Sequence, residues 1–192
     1  MEQLVMSETL QHQPNEAVDR KKHEGALSGA ADFLKSQYIS RWGIVCTAKE
    51  QSIGQHMYNV WLLTRQWGPL VLSTPTEQRI AEELALTHDL AEIRTGDCPT
   101  PFKTPDVKDA LHELEISIYH PVPASAAVKD LVKFCDTAES ILFLKLYGLG
   151  RHAYEVRELL CQQMWTRLER SLFSVNERNL LRDYFTDAFH DT

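Results

Sequence analysis

The sequence predicts an all-α protein, and three observations predict it. Apolar residues recur at intervals of three and four, as in the stripe Val60, Leu63 and Trp67, which is the spacing of one helical face. Three segments have the form of a capping box, a Ser or Thr followed three residues later by Gln or Glu: Ser52 to Gln55, Thr74 to Glu77 and Ser174 to Glu177. No stretch shows the apolar–polar alternation of a half-buried strand.

The elements follow in order. Residues 1 to about 25 are polar, rich in Gln, Glu, Asn and Lys, and read as a tail or loosely docked extension. They precede a single helical domain expected over 26–192. A first helix covers about 28–39, with Ala31, Leu34 and Tyr38 on one side, and residues 40–51 form a connecting loop that contains Arg41 and Trp42. Ser52 caps a second helix whose stripe starts at His56, and Gly68-Pro69 is expected to stop it. A third helix opens at Thr74 with Pro75 in its first position. It carries Ile80, Leu84, Ala85 and His88, runs to about Ile93 and ends before Gly96. Pro99 and Pro101 prevent a helix over 94–104, and rigid polar loops of this kind often carry function. Thr104-Pro105 opens a helix to about Tyr119, Ser125 one that includes Asp136 and ends near Gly148, and two more cover about 151–171 and 175–189.

Composition narrows the function classes. The chain has 192 residues, 43% hydrophobic and 24% charged, the balance of an ordinary globular domain. A domain of this size buries a core without help from a disulfide or a structural metal, so a bound metal would be catalytic. The net charge is -7 and no run of five or six Lys or Arg occurs, which argues against a nucleic-acid partner and leaves room for a small anionic substrate. Cys46, Cys98, Cys135 and Cys161 form no CxxC pair and read as free thiols in a reducing compartment. With no long apolar stretch and no secretory signal, neither a membrane span nor export is expected. The expected location is a cytoplasm, that of the host if the chain is phage-encoded.

The pair His88-Asp89 carries the chemistry. An imidazole nitrogen and a carboxylate oxygen suit zinc, manganese, cobalt or iron. Taken alone, the pair reads first as surface residues at a helix end. His56, alone on its apolar stripe, reads first as a core histidine bonded to a carbonyl. Asp136 lies in the largely apolar run Leu131-Val132-Lys133-Phe134-Cys135-Asp136, where a carboxylate is costly to bury unless a cation or a metal faces it. Two histidines and two carboxylates on three inward-facing helices explain one another if a divalent metal lies between them. His56, His88, Asp89 and Asp136 are therefore the candidate ligands, with zinc, cobalt or manganese ahead of magnesium.

The order His, His-Asp, Asp across three helices resembles the HD-domain superfamily of metal-dependent phosphohydrolases, whose fold is a helical bundle. The segment from His88 to Lys103 closely resembles the HD-x-x-E-x-x-x-GD-x-PTP-x-K block of the bacterial HD-domain 5′-deoxynucleotidases. The Arg41-Trp42 pair, fourteen residues from Trp42 to His56, is similar as well, and the resemblance covers about 28–145. The intervals of 32 residues from His56 to His88 and 47 from Asp89 to Asp136 are closer to those of small phage enzymes. These are the dATP triphosphohydrolases of phages that carry 2-aminoadenine in place of adenine. One departure stands out. The bacterial family has Glu before the first metal histidine and Ser after it, whereas here the triplet is Gln55-His56-Met57. That departure predicts an amide in place of the carboxylate that would orient His56.

The resemblance implies the remaining roles. Glu92 shares a helix face with His88 and Asp89 and would activate or orient the attacking water. Asp97 would bond the sugar 3′-hydroxyl or support that water; read alone it is an Asx-turn residue. Arg41 and Lys103 would bind phosphate oxygens. Lys49 and Arg94 could add to them for a triphosphate, although each reads first as solvated surface. Trp42, Ile44 and Pro101 would form a base pocket that favours adenine and excludes a 2-amino purine, while Trp42 alone reads as core packing. Trp61, Trp67 and Trp165 are assigned to core or interface. The implied reaction is hydrolysis of a deoxynucleotide at its α-phosphorus, dATP giving deoxyadenosine and triphosphate. The alternatives are a general deoxynucleoside 5′-monophosphatase and a non-catalytic helical nucleotide-binding module. The implied partners are the deoxynucleotide and further copies of the chain, as a dimer or hexamer.

Overall fold

The computed structural model describes residues 30–99 and 103–191. The described residues form eight α-helices: α1 (Ala30–Leu34), α2 (Ile53–Val71), α3 (Pro75–Thr87), α4 (Glu92–Thr95), α5 (Pro105–Ile118), α6 (Ala126–Tyr147), α7 (Gly150–Arg170) and α8 (Val175–Asp191). A 3-10 turn over Lys35–Tyr38 continues α1. Among the described residues there is no strand, only the isolated bridges Ser40–Ser52 and Thr47–Gly148, so the all-α expectation holds. The N-terminal extension and Pro101 lie outside the described residues. Among the described residues no helix is long and apolar enough to cross a membrane.

Local chemistry sets the helix starts. Ser52 accepts from the Gln55 amide while the Gln55 side chain accepts from the Ser52 amide, a complete capping box. Ser174 and Glu177 make the same reciprocal pair. At Thr74 only half of the box forms, because the Glu77 carboxylate accepts from the Thr74 hydroxyl instead of its backbone amide.

Two boundaries differ from expectation. Helix α2 does not stop at Gly68-Pro69 but runs through Pro69 to Val71. The proline sits in the last turn, where Trp67 is 1% exposed and Val71 and Leu72 are buried, so packing of that turn offsets the missing N–H bond. Helix α3 ends at Thr87 instead of reaching Ile93. The chain then makes bonds to the third residue back, Leu90 to Thr87, Glu92 to Asp89 and Ile93 to Leu90, as it passes into α4. Side chains take the last carbonyls of α3: the Thr87 hydroxyl bonds Glu83 O and His88 Nδ1 bonds Ala85 O, each at 2.8 Å. His88 and Asp89 thus stand on a tightened turn at the helix end.

The main core lies between α2, α3 and α6, with α7 and α8 closing it. An aromatic chain crosses these layers: Trp67 to Phe134 (ring centroids 5.8 Å), Phe134 to Trp165 (6.4 Å) and Trp165 to Phe185 (5.3 Å). A smaller cluster of Ile53, Met57, Leu90 and Ile93 clamps the 88–91 turn onto the start of α2. The loop before α2 is held at both ends. Arg41 N bonds Gln51 O at 2.9 Å, while Ala48 N bonds Tyr147 O at 2.7 Å and Leu149 N bonds Cys46 O at 2.9 Å, tying the loop to the α6–α7 connection.

Candidate metal centre

Three elements converge on one point. His56, 0% exposed, projects from the second turn of α2. His88 and Asp89 come from the turn after α3, and Asp136 from the middle of α6. Donor atoms of His56, His88 and Asp136 all lie within 4.8 Å of one another. His56 Nε2 is 3.0 Å from Asp136 Oδ1, and His88 Nε2 is 3.9 Å from the same oxygen. Asp89 Oδ2 stands 3.6 Å from His56 Nε2 and 3.4 Å from His88 Nε2.

Hydrogen bonding settles which imidazole nitrogens are free to bind a cation. The Ala85 carbonyl can only accept, so His88 Nδ1 donates to it and Nε2 carries the lone pair. That Nε2 is buried and has no hydrogen-bond partner. His56 Nδ1 lies 2.6 Å from Glu139 Oε2 and donates to that carboxylate, which turns its Nε2 toward Asp136 and Asp89. Two imidazole nitrogens and two carboxylates facing one point fit a divalent transition metal. Electrostatics agree. Burial and Arg41 lower the proton affinity of His56, but its bonds with Asp136 and Glu139 outweigh them, and a proton binds there more strongly than usual. Burial would raise both aspartates; Lys133 and His56 hold Asp136 well below the usual carboxylate range, and His88 and His56 lower Asp89. The centre therefore presents two anions that attract positive charge.

The expectation that an amide replaces the carboxylate orienting His56 is corrected. Gln55 is exposed and occupied in the α2 capping box. The orienting group is Glu139, three residues after Asp136 and on the same face of α6, which sequence reasoning missed. Its Oε1 accepts from Gln51 Nε2 (2.5 Å) and Asn59 Nδ2 (2.9 Å), and Arg41 Nη1 lies 3.6 Å from Oε2. The available signal was a second carboxylate at i+3 from Asp136 inside a run too apolar for a solvated one. A carboxylate–histidine pair of this kind raises ligand basicity, and its loss weakens metal affinity by roughly 10–100-fold. Glu139→Gln is expected to fall in that range when metal is titrated against a chelator; unchanged affinity would leave Glu139 a purely structural residue.

Beside the centre lies a polar cavity of about 310 Å³, whose walls include Arg41, Asp89, Glu92, Asp97, Lys103 and Asp136. Glu92, 6% exposed, opens α4, and its Oε2 is buried without a hydrogen-bond partner. Burial, reinforced by Asp89 and Asp97, pushes its carboxyl up to about 9. Gly96, at φ 73° and ψ 163°, adopts a backbone conformation that side chains resist and turns the chain so that Asp97 reaches the cavity. No hydrogen bond joins the Asp97 carboxylate to another described residue, so no Asx turn is seen among them. Lys133 forms an ion pair with Asp136 Oδ2, the oxygen turned away from His56.

A smaller pocket of about 90 Å³ continues from this cavity, sharing Arg41, Asp97 and Ser140 with it and adding Trp42, Ile44 and Pro99. Trp42 is a non-glycine residue at φ 66°, and its ring stacks parallel to Phe143 at 5.8 Å. Its Nε1 donates to Gln51 Oε1 at 2.8 Å, and the Arg41 guanidinium sits 5.0 Å from its ring centroid. Trp42 is thus both packed and part of a wall, and Ile44 is 41% exposed at the pocket mouth. Of the two further cations, Lys49 lies over the Tyr147 ring, and Arg94 pairs with Asp32 at 3.2 Å. Neither lines the polar cavity.

Comparison with known proteins places this geometry. A family model described as 5′-deoxynucleotidase YfbR-like matches residues 30–132. The chain is 48% identical over 164 residues to a dATP triphosphohydrolase of Cyanophage S-2L, covering 83% of this chain and 94% of that one. It is 32% identical over 133 residues to a dATP triphosphohydrolase of Salmonella phage PMBT28, covering 64% and 69%. Among solved structures it is similar to the Cyanophage S-2L HD phosphohydrolase DatZ bound to dA and one catalytic Zn2+ ion. The TM-score is 0.83 and the identity 44%, over 87% of this chain and 99% of that one.

Proposed function

The chain is a hydrolase of the YfbR-like 5′-deoxynucleotidase family, and we propose that its substrate is dATP, split into deoxyadenosine and triphosphate. The observation that carries this reading is continuity. The quartet His56, His88, Asp89 and Asp136 opens onto a cavity with Arg41 and Lys103, and that cavity leads to the pocket of Trp42 and Ile44. Metal, phosphate and base positions thus lie in the order a nucleotide needs. Likeness to the phage dATP triphosphohydrolases supports dATP as the nucleotide.

His56, His88, Asp89 and Asp136 would hold the metal, with zinc, cobalt or manganese suited to their nitrogen and oxygen atoms. The bound cation would act as a Lewis acid on the phosphate and lower the pKa of the attacking water toward about 7. Glu92, otherwise kept protonated by burial and the Asp89 and Asp97 charges, would be ionised beside the bound cation, and its unpaired Oε2 takes the proton from that water. The water oxygen bonds to the α-phosphorus as the bond to O5′ breaks, and the proton passes to O5′. Deoxyadenosine leaves with that proton, and triphosphate keeps the water oxygen. Arg41 and Lys103 neutralise the phosphate oxygens, with Arg41 braced by Gln51 at 3.3 Å and Ser140 at 3.4 Å. Asp97 accepts from the sugar 3′-hydroxyl. Trp42 and Ile44 enclose the base, with Pro101 the third residue that the family resemblance assigns to it, and a Trp42 ring fixed by Phe143 and Gln51 leaves no slack for a 2-amino group.

The test is a panel of deoxynucleoside tri- and monophosphates with zinc, cobalt, manganese or magnesium, followed by chromatography. Deoxyadenosine and triphosphate are expected in equal amounts from dATP. Turnover of several monophosphates with dATP left intact would make the chain a general 5′-deoxynucleotidase.

A further inference from the structure

The polar cavity extends beyond the groups used so far. Its far wall is built from α6 and α7, with Lys133, Thr137, Gln163 and Arg167. A second cavity of about 230 Å³ shares Lys133, Thr137 and Arg167 with it and adds Arg170. The two form one trough running away from the metal centre between the helices. Gln163, Arg167 and Arg170 are spaced by four and three residues on α7, so they share the face turned to the trough.

Three features distinguish these cations from ordinary surface charges. Arg157, Arg178 and Arg182, on α7 and α8, each pair with a glutamate, whereas neither Arg167 nor Arg170 forms an ion pair with a described residue. Lys133 and Arg167 line both cavities, which brings two like charges to one trough, a repulsion that an anion there would relieve; the Asp130 carboxylate on the wall of the second cavity accepts from the Leu172 amide. Lys133 is also anchored to Asp136 Oδ2, which places its ammonium where the metal centre ends and the trough begins.

We propose that Lys133, Arg167 and Arg170 form a polyphosphate-tail subsite that holds the β- and γ-phosphates of the substrate and selects a nucleoside 5′-triphosphate over a monophosphate. The proposal rests on the dATP reading for its biological use, but the binding of an inorganic chain of phosphates tests it separately. Arg41 and Lys103 hold the phosphate that reacts, and the α7 arginines hold the part that departs as triphosphate. The same trough is then the exit path of that product.

The experiment is calorimetric titration of the metal-loaded enzyme with inorganic tripolyphosphate, orthophosphate and deoxyadenosine. The proteins are wild type, Arg167→Gln, Arg167→Lys and the double variant Arg167→Gln/Arg170→Gln. Wild type is expected to bind tripolyphosphate at least about tenfold more tightly than orthophosphate. Arg167→Gln should weaken tripolyphosphate by roughly tenfold, the value of one charge-assisted contact, and the double variant by more. Arg167→Lys should recover part of the loss, and the deoxyadenosine Kd should stay constant throughout. Unchanged tripolyphosphate affinity in the double variant, or an equal fall in deoxyadenosine affinity, would overturn the subsite. Absence of dATP turnover by wild type would instead overturn the substrate reading, and the tripolyphosphate comparison would still decide the subsite.

Discussion

Replacing Asp136 by alanine is expected to remove the metal and lower dATP turnover by at least about a thousandfold, equivalent to about 4 kcal/mol of barrier. Among the four proposed ligands Asp136 is the one supplied by α6. Its Oδ1 lies 3.0 Å from His56 Nε2 and 3.9 Å from His88 Nε2, so it spans both imidazoles. Its other oxygen is held by Lys133, which fixes the carboxylate's rotation. Alanine leaves two imidazoles, a single carboxylate and an adjacent ammonium with no anion to face, a set far less attractive to a dication. Elemental analysis of dialysed protein should find metal near stoichiometric in wild type and near zero in the variant. The helical circular dichroism should be retained, because the aromatic chain from Trp67 to Phe185 does not pass through the centre. Full metal content in the variant would remove Asp136 from the ligand set.

Glu92→Gln is expected to separate chemistry from binding. The amide keeps the volume and one hydrogen-bonding oxygen but cannot accept the proton of the attacking water. Loss of a positioned general base typically lowers the rate by about 10²- to 10⁴-fold, and kcat should carry the loss while KM and metal content stay close to wild type. Stability should not fall, since burial beside Asp89 and Asp97 disfavours the ionised carboxylate that glutamine replaces. The variant is measured by initial rates across dATP concentrations, together with metal analysis and thermal unfolding. A kcat within a fewfold of wild type would exclude Glu92 as the proton acceptor.

Much of the fold was legible because the relevant physics is local. The Ser52–Gln55 and Ser174–Glu177 boxes form as their residue types require, and the stripe Val60, Leu63 and Trp67 faces the core or packs against it. Pro69 misled because its local effect is real but small at a helix end, while the burial of Trp67 and Val71 comes from distant segments. The end of α3 was missed for a similar reason. His88 caps its own helix through Ala85 O, and no helix propensity encodes a side chain already committed to that bond. At the site, His56, His88, Asp89 and Asp136 were legible as residue types, and the fold brings them together. Glu139 was not legible, because its partners Gln51, His56 and Asn59 lie 80 or more positions away in the chain. The helix wall of the trough escaped for the same reason: Lys133 and Arg167 are ordinary surface cations until α6 and α7 pack.

Lys133, Asp136, Glu139 and Ser140 sit within two turns of α6 and reach, respectively, the trough, the two imidazoles, the His56 ring and the Arg41 guanidinium. That arrangement makes the helix a ruler. A substitution within this stretch alters one contact and leaves the others aligned. Inserting or deleting a single residue would turn everything beyond it by about 100°, separating the cation contact from the histidine contact in one step. Length variation among related chains is therefore expected in the loops and at the ends of α6, and not between positions 133 and 140.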